Sequence, residues 1–372
     1  MRALGYVKQK GLSLVEMLIS MSLGAVVTVG VIQLFTANSE TYNLMQGQSR
    51  MQEGARFSLD FLGRAIQQAG YKGCFSENED VYTTIQFRGD IPYEFQLFRG
   101  IQAYDWGVGD WNPVLTPLAS AYDASTATVS VGGNAIDIDT VIEGTDVLTI
   151  RYASQNEAPL FTSLLTSSED VVVTIPAGGL EFVEDDMVMI HDCEKSTIFR
   201  ITKLTDNGSE ATLEHDTFDA PPLNNSVQRL AEVNTFETET HAAVSAIRTS
   251  TFFIAPGAGV NNVGDTPLSL WRRFGTDAPV ELVEGVEDLQ VLFGTDTDND
   301  GTPNQYLTAN LVTDFTDVQT VRISITVNSV DEVGATSPPT HGCTVQSCIS
   351  GETFDGLVRR TFHQTIQVRN KG

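Results

Sequence analysis

The chain has 372 residues, with 48 acidic against 22 basic side chains, a formal net charge of −26 and 41% hydrophobic residues. The length allows one large domain or two, and the hydrophobic content suffices for a real core. A surface of that sign repels phosphate backbones, so nucleic acid is not expected as a partner. In chain order, the first feature is a short basic leader (Arg2, Lys8, Lys10) that ends at Gly11. An apolar run follows, interrupted near its start by the single carboxylate of Glu16, and no charge occurs over 17–35. At the helical rise that uncharged run spans roughly 28 Å, about one bilayer core. The basic residues lie before the run and the next one is Arg50. The leader is therefore expected in the cytoplasm and the bulk of the chain on the far side. A lone carboxylate at the head of such a span costs about 2.5–3.5 kcal/mol on insertion scales, so Glu16 needs a partner. A cut after Gly11 would free an amine at Leu12, on the same helical face as Glu16.

Residues 36–70 continue as a helix. No proline occurs before Pro92, and Phe57, Phe61, Ala65 and Ala69 step by four, with Leu62, Ile66 and Met51 broadening the stripe. Gly70 is a natural stop. The spacing predicts one helix from about 13 to 69, kinked where Gly24, Gly30, Gly47 or Gly54 weakens it. After Cys74 the period becomes two. Residues 81–88, 135–142, 147–153, 171–175, 197–204 and 247–254 read as strands between loops rich in Gly, Ser, Asp and Asn. Strands are clearest in the last ninety or so residues. Over 286–293, 321–327 and 362–368, apolar residues suit an antiparallel sheet with one wet face, laid against the amphipathic half of the helix. The fold class expected is α+β.

The stretch Lys8-Gln9-Lys10-Gly11-Leu12-Ser13-Leu14-Val15-Glu16 resembles the class III signal of type IV prepilins, K-G-[FL]-[ST]-L-[VI]-E. The resemblance implies cleavage between Gly11 and Leu12 by a membrane aspartyl prepilin peptidase, and N-methylation of Leu12. It gives Glu16 a role in register, pairing with the amine of a neighbouring subunit. Leu12 departs from the phenylalanine most members carry. A Sec signal peptide fits less well, since its core is shorter and it ends in small residues.

Further segments resemble the PilW minor pilin family. These are Gln52-Glu53-Gly54-Ala55-Arg56-Phe57-Ser58-Leu59-Asp60-Phe61-Leu62, Ala69-Gly70-Tyr71-Lys72-Gly73-Cys74, Met189-Ile190-His191-Asp192-Cys193 with Ile198-Phe199, and Ser269-Leu270-Trp271-Arg272-Arg273. Val283-Glu284-Gly285-Val286-Glu287-Asp288-Leu289-Gln290-Val291 is similar both to PilW proteins and to the J-type pseudopilins of type II secretion. The likeness is weakest at about 90–140 and 205–245. It implies a pilin-like fold divided into a leader (1–11), a transmembrane and filament-core half-helix (12–36), an amphipathic half-helix (37–73), a β-rich head (74–280) and a C-terminal pilin-like sheet (281–372). It implies a minor pilin in the inner membrane with its head in the periplasm, and then at the cell surface in the pilus. Other minor pilins, the major pilin and a large tip adhesin would be its partners, in a complex that primes assembly and supports adhesion and twitching. A J-type pseudopilin and a calcium-dependent adhesive pilin are the alternatives.

Four cysteines (Cys74, Cys193, Cys343, Cys348) suit an oxidising compartment. Three connectivities are possible. Cys343 with Cys348 would close a small loop and leave Cys74 with Cys193; free buried thiols are the other reading. No CxxC occurs and the five histidines lack metal-ligand spacing. Asp296, Asp298 and Asp300 before Gly301 have the spacing of the first half of a calcium loop, but Leu307 stands where an EF-hand carries its bidentate Glu. Either Ca2+ or a plain acidic turn fits them. With no GxSxG, HExxH or P-loop, no enzyme activity and no other cofactor are expected.

Overall fold

The computed structural model describes residues 13–73, 82–85, 92–97, 99–107, 109–123, 128–131, 134–166, 169–215, 230, 235–298, 300–313, 315–334 and 356–369. A long α-helix, Leu14–Gln68, runs for 55 residues, about 80 Å at the helical rise. It ends where expected: Ala69 caps it and Gly70 takes φ +72, a left-handed conformation that suits glycine. The helix assignment is continuous through all four glycines named as weak points.

Two of those glycines serve contact. A Cβ on Gly47 would lie 3.0 Å from both Ser329 Cβ and Val333 Cγ1, and one on Gly54 would lie 3.3 Å from Val283 Cγ1. The helix thus rides close on the sheet. The stripe it buries is Met51, Ala55, Ser58, Leu62, Ala65, Ile66 and Ala69. Phe57 and Phe61, expected on that stripe, are 43% and 38% exposed. The reason is geometric. A row stepping strictly by four rotates about 40° per step, so only its later members, Ala65 and Ala69, reach the seam. Bulky rings also have no room where glycine and alanine set the separation.

The C-terminal strands form the antiparallel sheet expected, in the order Gln305–Leu307, Val286–Thr295, Val318–Asn328, Arg359–Gln367. The short edge strand Gln305–Leu307 is an addition to the sequence reading. A ten-stranded sheet makes most of the head. Its longest strand, Ala243–Pro256, pairs with Met187–His191 along its first part, then with Val147–Ala153 and Leu268–Phe274. A separate three-stranded sheet holds Val171–Thr174, Lys203–Asp206 and Glu210–Glu214.

Two strand expectations change. Residues 135–142 hold one turn of 3-10 helix, Ile138–Thr140, because Asp137 accepts the Asp139 N–H at 3.3 Å and draws the backbone into a turn. Residues 197–204 divide between two sheets, Lys195–Arg200 in the large one and Lys203–Asp206 in the small one. Of 81–88, Tyr82–Ile85 is a strand, paired in parallel with Lys195–Arg200; the flanking residues lie outside the described set.

Val280–Glu284 belongs to the large sheet and Val286–Thr295 to the C-terminal one, so the chain changes sheet at Gly285. Gly285 has φ +82, and a Cβ there would lie 2.8 Å from Val330 Cγ2. Asp146 ties the two sheets. Its N–H reaches Leu289 O at 2.8 Å, and its carboxylate accepts the N–H of Val291 at 2.8 Å and of Trp106 at 3.3 Å. One apolar core runs through the helix (Leu62, Ile66), the C-terminal sheet (Leu289, Ile323) and the large sheet (Ile150, Phe252). The head and the C-terminal sheet therefore share their packing.

Candidate assembly surfaces

The amino end is built around Ser13 and Glu16. The Glu16 N–H donates to Ser13 Oγ at 3.1 Å, and the Ser13 N–H donates to the Glu16 carboxylate at 3.2 Å. This is a capping box. A carboxylate there also faces the positive end of the helix dipole. Sequence reasoning assigned Glu16 only an outside partner; the Ser-x-x-Glu spacing was the signal for this inner one. Gly11 and Leu12 lie outside the described residues. Over its first half the helix is apolar and bare, and no part of its most apolar stretch is buried. Gly24 and Gly30 have nothing near them.

Where the helix meets the head, Arg50 pairs with Asp331 at 2.8 Å. The other Asp331 oxygen accepts the Asn262 N–H at 3.0 Å, and Asn262 exchanges two hydrogen bonds with the Glu332 backbone. This clasp joins the helix to one loop of the head and to the loop that follows Val318–Asn328 of the C-terminal sheet.

The head is braced by buried charge. Glu94 and Arg273 form an ion pair, with side chains 3% and 2% exposed. Such a pair holds because each charge meets its counter-charge out of water. Arg151, fully buried, donates to the carbonyls of Tyr93 at 2.9 Å and Arg99 at 3.1 Å, and its guanidinium sits 4.3 Å from the Tyr93 ring centre. His191 Nε2 lies 2.8 Å from Ser245 Oγ. Histidine beside serine is a pairing catalysis can use. Here both are sealed, 1% and 0% exposed, so no substrate reaches them. A Cβ on Gly73 would fall 2.6 Å from the His191 ring, which accounts for glycine there. Burial pushes the His191 pKa down to about 4, so the ring is neutral at pH 7.

Asp296, Asp298 and Asp300 come together, with one oxygen of each within 4.8 Å of the others. Asp296 is buried and accepts the N–H groups of Asp300 at 3.3 Å and Gly301 at 2.8 Å. Asp300 accepts from Thr302 N–H at 2.8 Å. Among the described residues, these three carboxylates are the group that could hold a hard cation, and the turn also stands on its own hydrogen bonds. Cys193 is disulfide-bonded. Cys74, Cys343 and Cys348 lie outside the described residues, and with them the connectivity.

Two family models match the chain. Residues 7–32 match the prokaryotic N-terminal methylation motif, and residues 251–370 match the Type IV pilus-assembly protein W family, PilW. No curated protein matches. Among solved structures, the chain is similar to the type IV-like pilin TTHA1219 from Thermus thermophilus, at 14% identity and a TM-score of 0.20, over 34% of this chain and 68% of that one. That overlap is too loose to define a fold. The PilW match covers the last part of the large sheet and the whole C-terminal sheet, and the methylation motif covers the end of the leader and most of the bare half-helix. With a prepilin-type amino end over 7–32 and a PilW region over 251–370, the chain resembles the type IV pilin-like proteins of the PilW family at both of its ends.

Proposed function

We propose that the chain is a minor pilin that joins other minor pilins in a membrane-anchored complex, primes assembly of the pilus and ends at the filament tip, supporting adhesion and twitching. One observation carries the reading: the helix is continuous, yet its apolar first half has no cover among the described residues while its second half is locked to the head. Bare apolar surface on that scale needs a bilayer or a bundle of like helices. Moving it from one to the other keeps it buried, so the transfer need not be costly. In this reading prepilin peptidase cuts between Gly11 and Leu12 and the new amine is methylated. Glu16 then exchanges the Ser13 N–H for the amine of a neighbour and sets axial register. The head faces the periplasm before export. The role is structural, without catalysis. A large head suits a low-copy cap, since it would crowd a packed shaft.

The test is the start of the mature chain. Amino-terminal sequencing should begin at methylated Leu12, and Glu16→Ala should abolish surface pili and twitching. A different start, or normal piliation with Glu16→Ala, overturns the register role.

A further inference from the structure

Leu268–Phe274 carries two consecutive arginines, and alternation along a strand sends them to opposite faces of the large sheet. Arg273 turns inward to Glu94. Arg272 comes out on the face that the helix partly covers, since Leu270, two positions earlier, lies in the core shared with the helix. Opposite Arg272 on the next strand stands Val280, 47% exposed. The Phe274 ring is met by two guanidinium groups, Arg272 at 5.2 Å and Arg248 at 5.5 Å. Arg248 already holds the Glu181 carboxylate at 2.9 Å. Arg272 has no ion pair among the described residues, and its buried Nε finds no hydrogen-bond partner among them.

The helix supplies a second wall. Gly54 packs toward Val283 on the strand that carries Val280, and Phe57 and Phe61 follow on the same flank at helical spacing. The helix then runs to its end, where Gly70 N–H meets Arg151 O on the same sheet. The flank with the two exposed rings therefore passes along the sheet face that carries Val280, Arg272 and Phe274.

We propose that this groove, apolar on the helix side and cationic and aromatic on the sheet side, docks a carboxylate-bearing apolar segment of a neighbouring subunit. The proposal rests on the assembly reading above. Charge complementarity selects the occupant. On a chain of net charge −26, a half-buried guanidinium without a carboxylate among the described residues marks where an acid from outside fits. Stacking on Phe274 holds the planar fork in place, so little freedom is lost when it pairs. Arginine and aromatic side chains also dominate the energetic centres of interfaces.

The experiment places photoreactive p-benzoylphenylalanine at Val280 of the full-length chain in the cells that make it, with Leu311, exposed elsewhere, as control. Crosslinked peptides are mapped by mass. The Val280 probe should capture a peptide of another pilin subunit that contains Asp or Glu, and the Leu311 probe should not. Arg272→Glu should lower the yield about tenfold, and reversing the mapped acid to Arg should restore it. Where Arg272→Glu lowers the unfolding temperature, Arg272→Gln is read in its place. No crosslink, a mapped peptide without an acid, or capture of a second copy only overturns the proposal. A pilin crosslink indifferent to Arg272 overturns the groove alone, and an Arg272-dependent crosslink to a protein that is not a pilin overturns the assembly reading with it.

Discussion

The two halves of the helix are one element by backbone and two by environment. In the first, Leu23 is 61% exposed and Gly24 and Gly30 meet nothing. In the second, Leu62 is fully buried, and Gly47 and Gly54 let the helix approach the sheets. Burial in the second half is completed inside the chain; in the first half it must come from outside. Leucine and glycine therefore carry different consequences according to the half in which they fall.

Pairs of substitutions break this comparison, read by thermal and denaturant unfolding of the full chain in detergent. The largest contrast is Leu62→Ala, which should cost the head about 2–5 kcal/mol through lost burial and a cavity, against Leu23→Ala, which should leave the head unfolding unchanged. Equal effects would mean that the halves are not separate environments. Next is Asp146, where the sheets under the second half join. Burial, with Asp105 and Asp288 nearby, raises its pKa from 3.8 to about 7, although two backbone N–H groups oppose the rise. The folded chain thus holds that proton more tightly than the unfolded one. Its contribution is fully present below about pH 4 and is lost as pH rises through about 7. Asp146→Asn should flatten the fall in stability between those values, by about 1.4 kcal/mol for each pH unit at most. An unchanged slope would show that Asp146 does not titrate there. Gly47→Leu follows: overpacking against Ser329 and Val333 should cost about 1–3 kcal/mol, whereas Gly24→Leu should leave the head unaffected. Smallest is the exposed clasp. Arg50→Ala should cost about 0.2–1 kcal/mol and lose that effect in high salt. A larger cost would make the clasp a main support of the helix.

Much of this was legible because it is local. The end of the helix follows from Gly70, which acts over one turn. The C-terminal sheet follows from alternation over 321–327, which leaves one face to bury. Sites that depend on residues far apart were not legible. Nothing near Glu94 marks it as the partner of Arg273, 179 residues on, and nothing near His191 points to Ser245. Residues 135–142 misled because Ile136 and Ile138 alternate like a strand, while Asp137 between them makes a stronger local bond. Phe57 and Phe61 misled because hydrophobicity by itself does not say which flank of a helix is pressed to a neighbour.

By itself the amino-acid sequence determined that there is a long helix, that its first half is an oily uncharged rod headed by Glu16, and that the chain ends in an antiparallel sheet. Propensity, capping and period act within a few residues, so they can be read along the chain. Only the tertiary structure decided which helical stripe is buried, which glycines are contact points, and that the Arg272–Arg273 doublet divides between a buried brace and an open face. Those outcomes turn on how closely a helix and two sheets approach one another, a distance that no short stretch of sequence encodes.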